Sequence, residues 1–342
     1  MTAPDAPPDS FRHTQATHAT PPRLPGTDGI SILIATHNRS ATLDRALQSL
    51  SLARMVPGVP VEAVVVANAC SDDSVAIARA WAGRLAWELR CVEEPVPGLS
   101  VARNRAVRES RYPILAFLDD DVWIAPAWLE SLVSTYRSTP ADLVAGHVEL
   151  WWEAVSRPDW IMPGMELVLS SLDLGPSVHE MIAPNAIGAN FSFRRAVYDR
   201  IGPFRTELGR VGKSLAAGEE SYFVGCAMRE GFRLFYSPGA SVKHWVAPER
   251  IAPEYLARAT RSATMTSLLL AERLTPTHAI RALVGGCVRL AAHSVVGTLA
   301  SLVGADSQAV RSRFERAVGQ GRLMGVFRRW RDGPIIPANR PS

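Results

Sequence analysis

An apolar segment that ends in three consecutive aspartates constrains this chain more than any other stretch. Residues 114–118 are apolar at every position, which is typical of a strand buried on both faces of a parallel sheet. Asp119, Asp120 and Asp121 follow it directly. Three adjacent carboxylates repel one another unless a positive group lies among them, and Mg²⁺ often binds one or two carboxylates together with substrate phosphates. The alternative is that the aspartates only cap the helix predicted over residues 127–136.

Strands and helices alternate on both sides of this segment. The predicted strands are residues 30–35, 61–67, 86–92 and 114–118, and the predicted helices are residues 40–50, 75–81, 101–110 and 127–136. This alternation predicts an α/β fold with a doubly wound, mostly parallel sheet. Such sheets bind ligands beyond the carboxyl ends of their strands, so the polar turns there predict a nucleotide site along one edge.

Two common nucleotide-binding motifs are excluded by the same residues. The first strand is not followed by G-x-G-x-x-G, the fingerprint of dinucleotide-binding folds. Gly212-Lys213-Ser214 looks like the end of a P-loop, but Glu207 occupies the place of the first glycine that a P-loop needs. The predicted edge therefore belongs to another class of nucleotide site.

Several short polar motifs occur in order along the chain. They are Thr36-His37-Asn38-Arg39, Asn68-Ala69-Cys70-Ser71-Asp72-Asp73, Gly98-Leu99-Ser100-Val101-Ala102-Arg103-Asn104, Asp119-Asp120-Asp121, Gly188-Ala189-Asn190, Gly218-Glu219-Glu220 and His244. Each motif is weak alone, but together, between about Gly29 and Arg250, they resemble a family 2 glycosyltransferase with the GT-A fold. The resemblance implies transfer of a sugar from a nucleotide-diphosphate sugar to a hydroxyl of a glycan, a lipid-linked sugar or a small glycoside.

The resemblance also implies a donor site and a metal site. The residues implied to bind the nucleotide sugar are Thr36, Asn38, Arg39, Asn68, Asp72, Arg103, Asp119, Asp120, Gly188 and Asn190. Asp119 and Asp121 match the Asp-x-Asp pair that holds Mg²⁺ or Mn²⁺, and His244 matches the histidine that closes the cation or pyrophosphate site. The alternatives are a surface ion pair for Arg103 and a structural hydrogen bond for His244. Ala67 replaces an acid that contacts the base or ribose in many members, so uridine, thymidine and guanosine donors stay open.

An acid pair at the start of a predicted helix is the candidate catalytic base. Glu219 and Glu220 follow Gly218, and the helix that they begin is predicted to end at Gly231. The resemblance implies an inverting transfer in which the second acid, Glu220, takes the proton of the acceptor hydroxyl. Acids in the first turn of a helix also stabilise its dipole, and one of the two is expected to do only that.

The middle of the chain, residues 146–186, has no clear periodicity but is rich in tryptophan. Trp151, Trp152 and Trp160 either form a lid over the acceptor or pack as core aromatics. We predict a core position for Trp151 and leave both alternatives open for the other two.

The last part of the chain is predicted to be helical, rich in small residues and basic. Residues 251–342 contain 13 arginines and no lysine against five acids, a net charge of +8, whereas residues 1–250 sum to −4. Residues 279–303 are strongly apolar but contain Arg281, Arg289 and His293, which argues against a helix that spans a membrane. Two alternatives stay open: helices that pack on the catalytic domain, or an amphipathic segment with its arginines toward anionic lipid.

The predicted organisation is a disordered tail over residues 1–28, a GT-A domain over 29–250 and a basic helical extension over 251–342. No apolar core follows a basic start and the four cysteines form no C-x-x-C pair, so we expect a cytoplasmic protein, with the inner face of the membrane as an alternative. An overall charge of +4 does not indicate nucleic-acid binding. The functional alternative is a non-catalytic nucleotide-sugar or glycan-binding protein on the same fold.

Overall fold

The computed structural model describes residues 29–208, 218–270 and 274–332. Two features predicted from the sequence, the tail over residues 1–28 and the Gly212-Lys213-Ser214 motif, lie outside these ranges. Within them the chain forms a nine-stranded sheet, helices that pack on it and three long C-terminal helices.

The first half of the chain forms strand–helix units, as the hydrophobic pattern predicts. The strands are β1 (Ile30–Thr36), β2 (Val61–Asn68), β3 (Glu88–Glu94), β4 (Ile114–Asp119) and β5 (Val122–Ile124), and the helices are α1 (Ser40–Ser51), α2 (Ser74–Trp81), α3 (Leu99–Glu109) and α4 (Trp128–Ser138). Every residue of β2 is buried, because β2 pairs with a strand on each side and helices pack on it. This burial explains why residues 63–67 form an unbroken apolar run in the sequence.

The second half adds shorter elements and ends in helices. The strands are β6 (Leu143–Trp151), β7 (His179–Glu180), β8 (Asn190–Arg194) and β9 (Leu234–Trp245), and the helices are α5 (Pro163–Val168), α6 (Arg195–Ile201) and α7 (Glu219–Arg229). After a 3₁₀ turn at Pro248–Ile251 come α8 (Pro253–Leu270), α9 (Pro276–Leu302) and α10 (Asp306–Asp332). Gly231 follows α7 with a φ of 87°, the left-handed conformation that commonly ends a helix.

The strands form a mixed sheet in the order β3-β2-β1-β4-β8-β6-β9-β5, with β7 paired to β9. β3, β2, β1 and β4 are parallel, so their carboxyl ends and the polar turns after them share one edge. β8 pairs antiparallel with both β4 and β6, while β6 and β9 are parallel. The predicted α/β architecture with a helical extension is confirmed, and antiparallel pairs are added beyond β4.

An aromatic cluster links β4, β8 and α7 in the main core. Phe117 and Phe191 stack with ring centroids 5.2 Å apart, and Phe223 of α7 lies 4.6 Å from Phe204 and 4.8 Å from Phe193. All five rings are buried. Such aromatic pairs contribute about 0.5–1.5 kcal/mol each beyond the area that they bury. The cluster therefore ties α7, which carries the predicted acid pair, to the strand that ends in the aspartates.

A second, smaller core joins the tryptophan-rich segment to the C-terminal helices. Its buried residues are Leu150, Ile161, Met165, Leu169, Val246, Leu256 and Phe314. Trp152 and Trp160 pack against it and are partly buried. Trp151, which was predicted to be core, is instead half-buried at the end of β6, 5.7 Å from the Trp123 ring and 4.4 Å from the Arg45 guanidinium. The prediction for Trp151 is wrong because the side chain lies in a surface stack beside the sheet.

The three C-terminal helices pack through α10, which contacts both α8 and α9. α9 is 27 residues long and, among the described residues, it is the one helix long and apolar enough to cross a membrane by length and composition. Only 11% of its most apolar 18-residue window is buried. Of the three polar residues that argued against such a helix, Arg289 and His293 are half-buried, whereas Arg281 is exposed.

Candidate active site

Two side-chain amides hold together the segments that follow β1, β2 and β3. Asn38 has a φ of 52°, and its Oδ1 accepts a hydrogen bond from Ser71 N at 2.7 Å. Asn68 is buried, its Oδ1 accepts from Gly98 N at 2.8 Å, and its Nδ2 donates to Val96 O at 2.6 Å. Both amides are therefore used in holding the edge of the sheet in shape.

Asp72 also serves the backbone around it. Its Oδ2 accepts from Ser40 N at 2.9 Å and its Oδ1 from the Ser74 hydroxyl at 2.6 Å, so one carboxylate supports the starts of α1 and α2. Burial opposes ionisation slightly, but the hydrogen bonds from Ser74 and Ser40 lower the pKa of Asp72 to about 2. The side chains of Asn38, Asn68 and Asp72 thus shape the turns, and their contact with a nucleotide stays a prediction.

The three aspartates occupy different places at the end of β4. Asp119 is one-third exposed, whereas Asp120 and Asp121 are buried. Asp120 accepts hydrogen bonds from Thr36 Oγ1 at 2.6 Å and from Arg39 Nη1 at 3.1 Å. Burial raises the pKa of Asp120 to about 6, although the charge of Arg39 opposes the shift. No described side chain caps α4, so the alternative that the aspartates serve only as its cap is wrong.

Asp121 lies at the centre of a buried charge cluster. Antiparallel pairing of β5 with β9 brings His244 beside Val122 and therefore next to Asp121. Asp121 Oδ2 lies 2.6 Å from Arg39 Nη1 and 3.3 Å from Arg250 Nη2, and Asp121 Oδ1 lies 3.2 Å from His244 Nε2. Burial opposes ionisation, but His244, Arg250 and Arg39 hold the pKa of Asp121 well below its ordinary value. Arg250 was not predicted, because only the strand pairing and the turn after β9 bring it here.

Asp119, Asp121 and His244 form a set that fits a divalent cation. One ligand atom from each lies within 4.8 Å of the other two. Asp121 Oδ1 is buried and, among the described residues, has His244 Nε2 at 3.2 Å as its polar neighbour, so both atoms can be offered to one cation. Two carboxylates and one imidazole leave further coordination positions for phosphate oxygens or water. The three residues that the sequence singled out for a metal are thus brought together.

Arg103 connects this cluster to the acid pair on α7. Its Nη1 lies 2.5 Å from Glu219 Oε1 and 3.7 Å from Glu220 Oε2, while its Nη2 lies 3.7 Å from Asp119 Oδ1. Desolvation lowers the pKa of a buried arginine, but Glu219, Glu220 and Asp119 together raise that of Arg103. The alternative of a surface ion pair is wrong, since the Arg103 side chain is only 3% exposed.

Glu219 and Glu220 differ in accessibility and in their partners. Glu219 is buried, pairs with Arg103, and also accepts a hydrogen bond from Gly218 N at 3.2 Å. The Glu220 side chain is 18% exposed. Burial, followed by the charge of Glu219, raises the pKa of Glu220 to about 7. Of the two acids, Glu220 therefore has the more exposed side chain and a pKa near neutrality.

Gly188 and Asn190 contact other parts of this edge. A Cβ atom at Gly188 would press against Arg103 Nη2, so the glycine leaves room for the guanidinium. Asn190 is buried, accepts a hydrogen bond from Trp128 Nε1 at 2.9 Å and donates to Ala240 O at 2.8 Å. Both residues have internal roles here, and their contact with a donor sugar stays a prediction.

The stretch that builds this edge also matches a known family. The sequence profile of glycosyl transferase family 2 matches residues 31–202, half of the chain. The chain belongs to glycosyl transferase family 2. The match confirms the resemblance inferred from the motifs as far as Asn190, while Glu219, Glu220 and His244 lie beyond the matched residues.

Several curated proteins are similar to this family member. The glucosyl-dolichyl phosphate glucuronosyltransferase of Haloferax volcanii is 30% identical over 158 residues, 46% of this chain and 50% of that protein. Glycosyltransferase AglE of the same organism is 27% identical over 183 residues, 52% of this chain and 57% of that protein. The succinoglycan biosynthesis protein ExoM of Rhizobium meliloti is 27% identical over 253 residues, 71% of this chain and 76% of that protein. The chain thus spans little more than half the length of the two Haloferax relatives.

Two solved structures share the fold. Mannosyltransferase PcManGT from Pyrobaculum calidifontis, in complex with GDP-Man and Mn²⁺, has a TM-score of 0.58 at 17% identity, with 89% of this chain and 87% of that chain covered. TarS 1–349 of S. aureus in complex with UDP has a TM-score of 0.51 at 15% identity, with 89% and 92% covered. This similarity confirms the GT-A fold predicted from the motifs of the family.

Proposed function

We propose that this protein is a metal-dependent glycosyltransferase that moves a sugar from a nucleotide-diphosphate sugar to an acceptor hydroxyl with inversion. The observation that carries the proposal is a continuous charge network that runs from Asp121 through Asp119 and Arg103 to Glu220. One end of the network offers ligands for a cation, and the other offers a carboxylate that titrates near neutrality. An inverting transfer needs both, because the leaving group must be stabilised while the attacking hydroxyl loses its proton.

The donor would bind beyond the carboxyl ends of β1, β2 and β4, where parallel sheets bind nucleotides. Arg39 and Arg250 supply positive charge at this place, since both contact Asp121. The planar guanidinium group suits the oxygens of a diphosphate. The structural neighbours support a nucleotide donor, since one was solved with GDP-Man and the other with UDP. Because these nucleotides differ, the proposal covers the diphosphate and leaves the base open.

Asp119, Asp121 and His244 would hold Mg²⁺ or Mn²⁺. When bound, the cation supplies positive charge that stabilises the departing diphosphate. Arg250 and Arg39, which both contact Asp121, help to keep its carboxylate ionised by lowering its pKa. The Mn²⁺ in the PcManGT structure supports a metal of this class.

Glu220 would act as the general base. Its carboxylate would take the hydroxyl proton while the acceptor oxygen bonds to the anomeric carbon and the bond from that carbon to the diphosphate breaks. Glu219 would position Arg103 rather than touch the reacting atoms, because its carboxylate is buried against that guanidinium. Arg103 in turn lies 3.7 Å from both Glu220 and Asp119, so it would fix the base relative to the metal site.

The acceptor that we propose is a hydroxyl of a lipid-linked sugar or a growing glycan. The name of the Haloferax volcanii relative refers to a glucosyl-dolichyl phosphate, and that of the Rhizobium meliloti relative to succinoglycan biosynthesis. We also propose that residues 29–250 form the catalytic unit and that the protein works in the cytoplasm at the inner face of the membrane. The four free cysteines agree with a reducing compartment, and the +8 charge of residues 251–342 suits an anionic surface.

Release of nucleoside diphosphate tests the proposed reaction. Purified protein would be incubated with panels of UDP-, dTDP- and GDP-sugars, a saccharide acceptor and Mn²⁺. We expect release only when donor, acceptor and metal are present together. Thermal stabilisation by a nucleotide sugar without any turnover across the panels would instead identify a non-catalytic binding protein.

The proposed metal site has its own test in Asp119→Asn. The variant should lose Mn²⁺-dependent thermal stabilisation by a nucleoside diphosphate, because one of the two carboxylate ligands becomes neutral. Asp119 is preferable to Asp121, whose loss would leave the buried Arg250 without the carboxylate that it contacts. Asp73→Asn is the matched control, since Asp73 is exposed at the same edge and makes no capping bond. Unchanged Mn²⁺-dependent stabilisation of Asp119→Asn would contradict the assignment.

A further inference from the structure

The outer face of α9 is apolar along nearly its whole length. Its large exposed side chains are Ile280, Leu283, Val284, Val288, Val295, Leu299 and Leu302. Apart from the neighbours Leu283 and Val284, successive members are three, four or seven residues apart, which places them on one side of the helix. Among the described residues no other element covers this side, and we call these seven residues the α9 face.

The opposite side of α9 carries small residues against α10. A Cβ atom at Gly286 would lie 3.1 Å from Gly319 O, and one at Gly297 would lie 3.1 Å from Ser312 Cβ. These two contacts show that the helices are antiparallel and close together. In a helix that packs against a soluble domain, the large apolar residues face inward and the polar ones outward. α9 has the reverse arrangement, which is typical of helices whose outer side meets lipid.

The end of α10 also exposes large apolar side chains. Because the helices are antiparallel, the last turns of α10 lie beside the first half of α9. Phe327 and Trp330 are exposed there, Trp330 to 81%, and their ring centroids are 6.2 Å apart. Exposed Arg281 and Arg328 belong to the same end of the two helices. Tryptophan beside arginine is the combination that occurs where a membrane meets water.

The helix pair is suited to lie on a membrane rather than to cross it. A helix of 27 residues is about 40 Å long, which is enough to span a bilayer. However, α10 packs along α9 and exposes Gln308, Arg313 and Gln320 over the same length. A crossing of the membrane would carry these polar side chains into hydrocarbon, where each is strongly disfavoured. Burial of the α9 face alone by about 5–10 Å avoids this cost.

We propose that the α9 face, with Phe327 and Trp330, lies in the interfacial region of an anionic lipid bilayer and docks the enzyme on it. The charge of residues 251–342, +8, complements anionic headgroups and disfavours a second copy of the same basic helices on this face. This docking rests on the proposed location of the enzyme and not on its proposed chemistry. Membrane binding can be measured without any activity, so failure of the docking proposal is distinguishable from failure of the proposed reaction.

Vesicle co-sedimentation of the full chain tests this docking mode. Wild type should bind vesicles of phosphatidylcholine containing phosphatidylglycerol, bind less to pure phosphatidylcholine, and be released by alkaline carbonate. The triple variant Val284→Asp, Val288→Asp, Leu299→Asp should partition at least about tenfold less, because three charges enter the buried part of the surface. Its thermal unfolding should stay like that of wild type, since all three positions are exposed.

A matched triple variant tests whether the loss of binding depends on where the three aspartates are placed or only on their added negative charge. Leu52→Asp, Val178→Asp, Ile182→Asp adds the same three charges at exposed apolar positions outside the C-terminal helices and should bind vesicles like wild type. Equal loss of binding by both variants, or no loss by the first, overturns the proposal. Resistance of wild type to carbonate would show a spanning helix instead. A second copy would cover the face instead if wild type did not bind vesicles, light scattering showed that it is a dimer, and the α9 variant were a monomer.

Discussion

The parallel half of the sheet and helix α9 bury opposite kinds of side chain. In β1 and β2, large apolar residues such as Leu33 and Val64 are fully buried, and polar residues follow at the ends of the strands. In α9, large apolar residues such as Val288 and Leu299 are exposed, while glycines face α10. The first arrangement is that of a core formed against water, and the second suits an apolar medium outside the protein. The side on which an element is apolar therefore indicates its surroundings.

The two regions also differ in how they hold charge. Arg103 and Glu219, at the sheet edge, are each 3% exposed and 2.5 Å apart. Arg289 and Glu315, between α9 and α10, are 37% and 28% exposed and 3.0 Å apart. A charge that is withdrawn from water depends on its partner far more than one that water still reaches. Loss of a partner should therefore matter much more at the edge of the sheet.

Removal of the proposed base should give the largest effect in the molecule. Glu220→Gln keeps the size of the side chain but cannot accept a proton, so transfer should fall about 10²–10⁴-fold. Mn²⁺-dependent nucleotide binding should be retained, because the metal ligands lie at the other end of the charge network. Initial rates of nucleoside diphosphate release and thermal shifts measure the two properties. A loss of transfer confined to Glu219→Gln would assign the base to Glu219 instead.

One substitution placed in each region compares the two ion pairs directly. Glu219→Gln leaves Arg103 short of its nearest carboxylate in the interior and should lower the free energy of unfolding by about 3–5 kcal/mol. Glu315→Gln, which weakens the half-exposed pair with Arg289, should cost less than about 1 kcal/mol. Urea denaturation at neutral pH measures both. Equal losses in the free energy of unfolding would show that water screens the two ion pairs to the same extent.

The same deletion of an apolar side chain should separate the two regions again. Leu33→Ala removes a fully buried side chain from β1 and should destabilise the protein by about 2–5 kcal/mol. Leu299→Ala, on the α9 face, should change stability in solution by no more than about 0.5 kcal/mol. The measurement is again the free energy of unfolding, without lipid. A large cost for Leu299→Ala would mean that the α9 face is packed against protein.

The pH dependence of transfer should follow Glu220. Burial and the neighbouring charge of Glu219 raise its pKa to about 7, while Arg103 opposes the shift. The base is the ionised form, so the rate should reach a plateau above about pH 7 and fall about tenfold for each pH unit below it. Rates at saturating donor and metal between about pH 5 and 9 test this. A profile that stays flat down to pH 5 would rule out an elevated pKa for the base.

Much of the parallel half could be predicted from the sequence. The strand predicted over residues 61–67 is β2 (Val61–Asn68), because a strand buried on both faces appears as a mostly apolar run, interrupted here by Glu62. The acids were equally visible, since Asp119 to Asp121 come directly after an apolar run and Glu219 and Glu220 begin a helix. Parallel strands place their carboxyl ends at one edge of the sheet. Residues that directly follow such strands in the sequence could therefore be predicted to lie together at that edge.

Other parts depend on contacts that sequence patterns do not contain. Arg250 reaches Asp121 across 129 residues, and Trp128 reaches Asn190 across 62. β6 was missed because it lies between β8 and β9 with a register irregularity at Gly146, which obscures any simple alternation. The sequence left open which way the apolar side of α9 faces, because the inner side is formed largely by glycine and alanine and the pattern lacks a polar face.

The fit of Arg103 against Gly188 has a consequence for how this chain can diverge. The guanidinium occupies the space that any side chain at position 188 would need, and three carboxylates keep it there. A larger residue at position 188 is compatible only with a shorter one at position 103. A shorter residue at position 103 would leave the Glu219 carboxylate without its arginine partner. Positions 103 and 188 must therefore vary together in sequences that descend from this one. Sequences that keep both Arg103 and Gly188 would be those in which an arginine still connects the cation site to the base.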